Sequence, residues 1–153
     1  MTETIYVLGE AIEKHPELAR EIVRRGHEPA AHGKRWQPQY TFPPETERAW
    51  IQSSLDSIVN VTGQHRSGYD CYWMRGSVRT LGLLQELGFT YHNNDLSRDE
   101  PFTQDINSKP FVSVPYTIHM TTSSRTPAFR RPTTSSSWLT DIRAGSGRHC
   151  GAA

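Results

Sequence analysis

The sequence is short of cysteines, of hydrophobic residues and of long apolar runs, and each shortage excludes a class of protein. Its 153 residues include two cysteines, Cys71 and Cys150, at no paired spacing, which predicts neither a disulfide framework nor a thiolate zinc site. No run of about 18 apolar residues occurs, and the first residues lack a basic region followed by an apolar stretch, so membrane spanning and secretion are both disfavoured. We therefore expect a cytoplasmic protein.

Acidic residues are scarce near the end of the chain, which separates that part from the rest. Residues 121–153 contain six serines, six threonines and five arginines, with Asp141 as the only acidic residue and a formal charge of +4. Residues 1–120 have a formal charge of −3. Clustered arginines can neutralise phosphates, but these are spread out without an aromatic platform, so the composition favours disorder over nucleic-acid binding. The sequence predicts one folded domain, residues 1–120, and a disordered tail, residues 121–153.

Strand-like and helix-like segments alternate along the folded part. The predicted strands are "TIYVLG", "HEPAAH", "FTYHNND" and "FVSVPYTIH", and residues 95–110 are predicted to be a loop. The predicted helices are "HPELAREIVRRG", "PPETERAWIQSSLDSIVNVTG" and a segment that Ser77 caps, whose apolar side holds Val78, Leu81, Leu84 and Leu87. Alternation of this kind predicts an α/β fold with a parallel sheet or barrel, because parallel neighbours need helical crossovers.

Two histidines fall at the carboxyl ends of predicted strands, where α/β folds collect their functional groups. His32 ends "HEPAAH" and His119 ends the last apolar run. A histidine in such a place is often structural or simply solvated, so both readings of these two residues remain open. His27 points to the opposite face of its strand and is interpreted as structural.

Several sequence blocks, taken in order, resemble the polysaccharide deacetylase family. They are "RRGHEPAAHGKRW", "TGQHRSGYDCYWMRGSVRTLGLLQELGFTYHNNDLSRDEPF" and "VPYTIH", and the similarity as a whole covers roughly residues 4–120. The resemblance is closer to the cytosolic branch that includes the cofactor-free allantoinases. It implies an irregular (β/α) barrel, here incomplete, that hydrolyses amide carbon–nitrogen bonds in N-acetylated sugars or small cyclic amides.

The resemblance also implies which residues act. His32 matches the last histidine of the family's "GHExxxH" block, and His119 matches a late histidine that would protonate the departing nitrogen. A second family histidine, which completes a zinc site in the wider family, is replaced by Trp36. One histidine cannot hold a catalytic zinc, which normally needs three protein ligands, so we predict no cofactor, with His32 as the zinc ligand if there is any.

Other family-matched residues are candidates for substrate binding. The substrate-binding candidates are Trp36, Tyr72, Trp73, Arg75, Asp99 and Glu100, the last two in a block that resembles the family's "DxPY" region. Each also has a plainer interpretation. The aromatic residues are more often part of a core or a pocket rim than a platform for substrate. Arg75 can pair with Asp70 in its own loop, and the two acidic residues can belong to a solvated loop.

The sequence also departs from the family pattern in two places. The "TFDDG"-like motif, whose aspartates supply the general base, does not occur, so we expect a chain truncated at its N-terminus. After Met120 the branch's usual "ND" gives way to "TTSSRTP", which a one-nucleotide slip would produce, so we expect a frame shift there. Sequencing the locus tests that expectation.

The predicted function is a hydrolase of non-peptide carbon–nitrogen bonds in carbohydrate metabolism. A cofactor-free allantoinase-like amidohydrolase and an inactive remnant without its general-base strand are the alternatives. The expected partner is a small molecule or N-acetylated sugar, with no nucleic acid and no membrane. Self-association is a further expectation, because a barrel that lacks a strand has an open sheet edge.

Overall fold

A computed structural model describes residues 2–65 and 68–116 of the chain. The strands are β1 (Thr4–Val7), β2 (Glu28–Ala31), β3 (Gly68–Tyr69), β4 (Tyr91–His92), β5 (Phe102–Ile106) and β6 (Lys109–Ser113). The helices are α1 (Gly9–Lys14), α2 (Pro16–Arg24), α3 (Pro44–Thr62) and α4 (Thr80–Glu86). Short helical turns also occur at Gln39–Thr41 and Tyr72–Met74.

The six strands form one sheet in the order β1-β2-β3-β4-β6-β5. All neighbouring pairs are parallel except β5 and β6, which are antiparallel. Ala31, Tyr69 and Phe111 lie on one face of the sheet and join the buried core, together with apolar residues from all four helices. The predicted α/β class is confirmed, and the carboxyl ends of five parallel strands lie along one edge of the sheet.

The two longest helices form where the sequence predicts them. Pro16 begins α2 at a position where a missing N–H costs nothing. In α3 the buried side is built from Ile51, Leu55 and Ile58, which recur at helical spacing. The helix ends at Gly63, whose φ of 73° is the left-handed conformation that favours glycine.

The prediction of a loop over residues 95–110 is wrong in its second half. Residues Phe102–Ile106 form β5 and pair with β6 as a hairpin. The turn between them is Asn107–Ser108, and both residues have positive φ, 50° and 62°, as the two central residues of a type I′ turn require. The short helix α1 was also not predicted, because its six residues are too few to show helical periodicity.

The predicted apolar side of α4 is wrong at its first member. The side chain of Val78 is 99% exposed, whereas Leu84 is fully buried. The helix begins at Thr80, two residues after Val78, and the Ser77 hydroxyl accepts a hydrogen bond from the Arg79 N–H at 3.1 Å. The Ser77 side chain therefore stabilises the turn that precedes the helix, and Val78 lies in that turn.

Pro29 lies inside β2, a central strand, although proline cannot donate a ladder hydrogen bond. The Glu28 N–H donates to Glu3 O and the His32 N–H to Val7 O, both at 2.9 Å, so the donors on either side of Pro29 face β1. Pro29 therefore faces β3, whose pairing with β2 among the described residues is recorded at Ala31 and Tyr69.

The chain divides into two units, Met1–His119 and Met120–Ala153. The second unit, which includes the predicted disordered tail and the expected frame shift after Met120, lies outside the described residues. Among the helices of the described part, none is both long and apolar enough to cross a lipid bilayer.

Candidate active site

The residues that follow three adjacent parallel strands meet at one edge of the sheet. His32 follows β2, Asp70 follows β3 and Asn93 follows β4. Backbone hydrogen bonds hold them in register: the Asp70 N–H donates to Ala31 O at 2.9 Å, and the Asn93 N–H donates to Tyr69 O at 3.0 Å. Strand pairing alone therefore fixes where these three residues lie, independently of contacts between their side chains.

The imidazole of His32 is oriented by the main chain of Asp70. Its Nδ1 lies 2.8 Å from the Asp70 carbonyl oxygen. A carbonyl can only accept, so the neutral ring carries its proton on Nδ1 and donates it there. The lone pair is then on Nε2, which is the nitrogen that remains for a bound molecule. The nearer carboxylate oxygen of Asp70, Oδ2, is 3.9 Å from the same Nδ1.

Burial shifts the ionisation of both groups toward the neutral form. It lowers the pKa of His32, an effect that the bond to the Asp70 carbonyl partly opposes. It raises the pKa of Asp70 to about 7, and the Cys71 N–H partly opposes this shift. Near neutral pH the site thus holds an uncharged imidazole beside a carboxyl group that is partly protonated. Such a pair can accept one proton and donate another.

These groups line a pocket of about 190 Å³. Its walls are His32, Trp36, Asp70, Cys71, Trp73, Met74 and Tyr116. The Trp36 ring lies 4.7 Å from the His32 ring, 4.8 Å from Tyr72 and 6.1 Å from Trp73, measured between ring centres. Trp36 and Trp73 are both exposed. The three aromatic side chains therefore form a rim on one side of the imidazole.

Buried polar contacts support the floor of this pocket. The Cys71 thiol is free and buried, and its N–H donates to Asn94 Oδ1 at 2.6 Å. The Tyr69 hydroxyl donates to Gln39 Oε1 at 2.7 Å, in the buried layer beneath. Because Asp70 lies between these two anchored residues, its backbone has little freedom to move away from His32.

Comparison with known proteins decides the family. The family model of polysaccharide deacetylases matches residues 1–92. The chain belongs to the polysaccharide deacetylase family.

The relatives of this deacetylase family member are longer than the chain itself. A Schizosaccharomyces pombe protein described as a polysaccharide deacetylase is 26% identical in sequence, and the alignment covers 76% of this chain and 41% of the yeast protein. The peptidoglycan deacetylase of Helicobacter pylori is 31% identical, over 60% of this chain and 31% of its own. The structure also matches the crystal structure of PuuE allantoinase with a TM-score of 0.69. The sequences are 29% identical, and the match covers 77% of this chain and 39% of the allantoinase chain.

The chain thus spans less than half the length of these relatives. The structural likeness confirms the predicted fold of the deacetylase (β/α)-barrel type. Membership of the family also places the described sheet within a fold whose functional groups lie at the carboxyl ends of strands, the edge at which His32 and Asp70 meet.

Polysaccharide deacetylases are in general metal-dependent, so a zinc site would need three suitable ligands around this pocket. Among residues 2–65 and 68–116, no group of three or more histidine, cysteine or acidic side chains is arranged so that it could hold a metal ion. At the position where the wider family has a second histidine, the Trp36 ring packs against His32. Asp70 approaches His32 on Nδ1, the nitrogen already bonded to the Asp70 carbonyl. The described residues therefore do not fit a three-ligand zinc site.

The structure brings together part of the predicted deacetylase site. His32, Trp36 and Trp73 line the pocket, and Tyr72 packs against Trp36. Arg75, Asp99 and Glu100 are exposed and do not line it. His119 lies outside the described residues, so its predicted proximity to His32 stays a prediction.

Asp70 is the site residue that the sequence reasoning missed. Among the described residues no salt bridge joins Asp70 to Arg75, and the carboxylate lies instead 3.9 Å from His32 Nδ1. Its signal was the same as that of His32, a polar residue directly after a strand. Two residues of β3 within a glycine-containing loop were too short to be recognised as a strand.

Proposed function

We propose that the His32 pocket belongs to the active site of a hydrolase that cleaves non-peptide carbon–nitrogen bonds, with N-acetylated sugars as substrates. The observation that carries the proposal is the oriented, uncharged imidazole of His32 beside the Asp70 carboxyl group at the strand ends. This pair supports acid–base chemistry at neutral pH, and family membership supports the type of bond. A role in carbohydrate metabolism follows from that substrate class.

The two groups can divide the proton transfers of amide hydrolysis. His32 Nε2 accepts a proton from the attacking water as its oxygen bonds to the amide carbon. When the carbon–nitrogen bond breaks, the protonated carboxyl group of Asp70 gives its proton to the departing nitrogen, which avoids an anionic amine. Loss of the Nε2 proton of His32 to solvent water and uptake of a proton from solvent by Asp70 restore both groups. The predicted protonation of the nitrogen by His119 remains the alternative for the second step.

The aromatic rim bears on the choice of substrate. Trp36, Tyr72 and Trp73 offer flat apolar surfaces beside His32, which suit the apolar face of a sugar ring or a planar cyclic amide. A ureide such as allantoin is therefore the second candidate. Trp36 and the likeness to the allantoinase structure favour it.

We propose further that this hydrolysis proceeds without a tightly held metal. The support is the packing of Trp36 against His32 and the absence of a three-ligand cluster within the described part of the chain. Zinc-dependent activity of the purified chain, lost with a chelator and restored by zinc, would contradict this part of the proposal while leaving the substrate class standing.

The direct test measures acetate release from N-acetylglucosamine oligomers and loss of allantoin, each with and without zinc. Loss of His32 Nε2 in His32→Gln should lower kcat/KM by about 10²- to 10⁴-fold, the usual range for a general base. The control is His15→Gln, which changes a histidine that is 63% exposed and outside the pocket, and it should keep wild-type activity. No turnover by the wild-type chain on any substrate would favour an inactive remnant.

A cytoplasmic location, the absence of nucleic-acid and membrane partners, and self-association are proposed with this function. Composition supports the first two. The position of β1 at one end of the sheet order supports the last, since an edge strand has unpaired backbone groups. Cell fractionation, a nucleic-acid shift assay and sedimentation over a range of concentrations test them in turn.

A further inference from the structure

A polar cluster joins four adjacent strands of the sheet. The Glu28 carboxylate on β2 accepts hydrogen bonds from the Gly68 N–H of β3 at 3.1 Å, from the Tyr91 hydroxyl of β4 at 2.8 Å and from the Thr4 hydroxyl of β1 at 3.0 Å. We call these four residues the Glu28 cluster. None of them takes part in the acid–base chemistry proposed above.

The Glu28 cluster lies on the same face of the sheet as the candidate acid–base pair. Side chains alternate between the two faces along a strand. Glu28 lies four residues before His32, and Gly68 lies two residues before Asp70. The cluster therefore connects the same strands whose carboxyl ends carry the pair.

Tyr91 reaches Glu28 by crossing the strand between them. In the sheet order β3 separates β4 from β2, and Gly68 of β3 is the residue that pairs with Tyr91. A Cβ at Gly68 would overlap the Tyr91 ring, so glycine leaves the room that the ring needs. Burial raises the pKa of Tyr91 to about 12, so at neutral pH the hydroxyl keeps its proton and donates it to Glu28.

The backbone pairing between β2 and β3 is short, and the Glu28 cluster adds to it. Among the described residues the two strands pair at Ala31 and Tyr69, and Pro29, earlier in β2, has no N–H to donate. The Gly68 N–H donates to a side chain, the Glu28 carboxylate. This bond gives the two strands a further connection at the end away from the pocket.

The orientation of His32 depends on how β2 and β3 are held together. His32 Nδ1 donates to the Asp70 carbonyl oxygen at 2.8 Å, from the residue after β2 to the residue after β3. A shift of one strand against the other would move this acceptor away from the imidazole. Misplacement of a reacting group by about 1 Å can lower a rate about a hundredfold.

We propose that Glu28 is a positioning residue of the His32 site, which with Tyr91 holds β2 and β3 in the register that keeps His32 Nδ1 on the Asp70 carbonyl. Neither Glu28 nor Tyr91 lines the His32 pocket, so both act through the strands. The effect on the reaction rate rests on the proposed function, whereas the effect on the imidazole does not.

The first test determines the tautomer of the neutral His32 ring from its ¹⁵N chemical shifts, which distinguish a proton on Nδ1 from one on Nε2. The wild type should show the Nδ1–H form in about tenfold excess, as one hydrogen bond allows. Glu28→Ala removes the acceptor of the cluster and should bring the two forms to comparable amounts. Glu28→Gln keeps an acceptor oxygen and should restore most of the excess.

The second test measures acetate release from N-acetylglucosamine oligomers by the same variants. Glu28→Ala should lower kcat about 10- to 100-fold and leave KM unchanged, because the imidazole moves while the aromatic rim stays in place. Tyr91→Phe removes only the hydroxyl that donates to Glu28 and should have a smaller effect in the same direction. The control is Tyr40→Phe, which changes a half-buried tyrosine outside the cluster and the His32 pocket, and it should change neither kcat nor the tautomer.

The outcomes separate this inference from the proposed function. Loss of the Nδ1–H excess in Glu28→Ala supports the positioning role, and a wild type without turnover would then contradict the hydrolase alone. An unchanged tautomer in Glu28→Ala overturns the inference, whatever the change in the free energy of unfolding, because the cluster would then serve only stability. If Glu28→Ala does not fold, the tautomer of His32 in Tyr91→Phe decides in the same way.

Discussion

The carboxyl group of Asp70 has an environment that favours its neutral form. Its side chain is 13% exposed, and its Oδ1 is buried without a hydrogen-bond partner in the part of the chain that the structure describes. Burial raises the pKa to about 7 from an ordinary value of 3.8. Between these two pH values the folded chain binds a proton that the unfolded chain has released, so the free energy of unfolding falls as the pH rises.

Replacement of this carboxyl group should remove that pH dependence. The contribution of Asp70 is fully present below pH 3.8 and is lost as the pH passes about 7, and three pKa units correspond to about 4 kcal/mol at most. The quantity to compare is the free energy of unfolding of the wild type minus that of Asp70→Asn. We expect this difference to decrease by up to this amount between pH 4 and pH 7.5. Urea denaturation of both proteins at four pH values measures the difference.

The comparison with Asp70→Asn cancels the opposing effect of His32 on pH dependence. Burial lowers the pKa of His32, so that group alone would make the fold more stable as the pH rises through its ordinary pKa. Asp56→Asn is the control, because it changes a carboxylate that is exposed on α3. A stability difference that stays constant from pH 4 to 7.5 would mean that Asp70 is ionised throughout and cannot donate a proton at neutral pH.

At the scale of the element, α4 has an apolar side whose members differ sharply in burial. Leu84 is fully buried and belongs to the core, whereas Val78 is 99% exposed in the turn before the helix. We expect Leu84→Ala to lower the free energy of unfolding by about 2–5 kcal/mol, through lost apolar burial and a cavity. Val78→Ala should change it by less than about 0.5 kcal/mol. If urea denaturation showed the same loss of unfolding free energy for both variants, the exposed position of Val78 before the helix would be contradicted.

The β5–β6 hairpin stores strain that one substitution can relieve. Ser108 has a φ of 62° in the two-residue turn, a conformation that glycine adopts without penalty. We expect Ser108→Gly to stabilise the chain by about 0.5–1 kcal/mol, the range measured when a residue suits its backbone conformation. Ser108→Ala is the control and should not stabilise it. A destabilising Ser108→Gly in thermal and urea denaturation would contradict the turn geometry.

Sequence periodicity predicted the elements that bury a whole side and missed those that are half exposed. Helices α2 and α3 and strand β2 carry enough apolar positions to show their period. Strand β5 reads "FTQDI", with polar residues on an edge strand, and its turn is Asn-Ser where glycine would have been the usual signal. For the same reason, the two-residue strand β3 was not recognised and Asp70 was interpreted as a loop residue.

The candidate site was predictable only where a residue ends a recognisable strand. His32 follows β2 and was singled out, and the structure places the Trp36 ring 4.7 Å from the His32 ring. The direction of the exposed side chains of Arg75, Asp99 and Glu100 depends on loop geometry, which no periodicity encodes. A resemblance that matches blocks of sequence therefore indicates which strand end carries an imidazole, but it does not indicate the direction of loop side chains.

At the scale of the whole molecule, Cys71 lies where the core meets the His32 pocket. It is fully buried and belongs to the core cluster, it lines the His32 pocket, and its N–H donates a hydrogen bond to Asn94 Oδ1. Burial raises the pKa of its thiol, and the nearby carboxylates of Asp70 and Glu47 add to the shift. Because the thiolate is the reactive form, the native chain should protect this residue from thiol reagents.

The labelling rate of Cys71 should therefore report unfolding of the whole described domain. In a Cys150→Ser background, which leaves Cys71 as the only cysteine, we expect labelling by a thiol-reactive dye to be at least about a thousandfold slower in native buffer than in 8 M urea, because opening needs most of the global free energy. The logarithm of the rate should rise with low urea concentrations at the slope of global unfolding. Fast labelling that does not depend on urea would show that the floor of the His32 pocket opens locally. The turn at Trp73 and Met74, which line the same pocket and have positive φ values of 50° and 56°, would then be the hinge to examine.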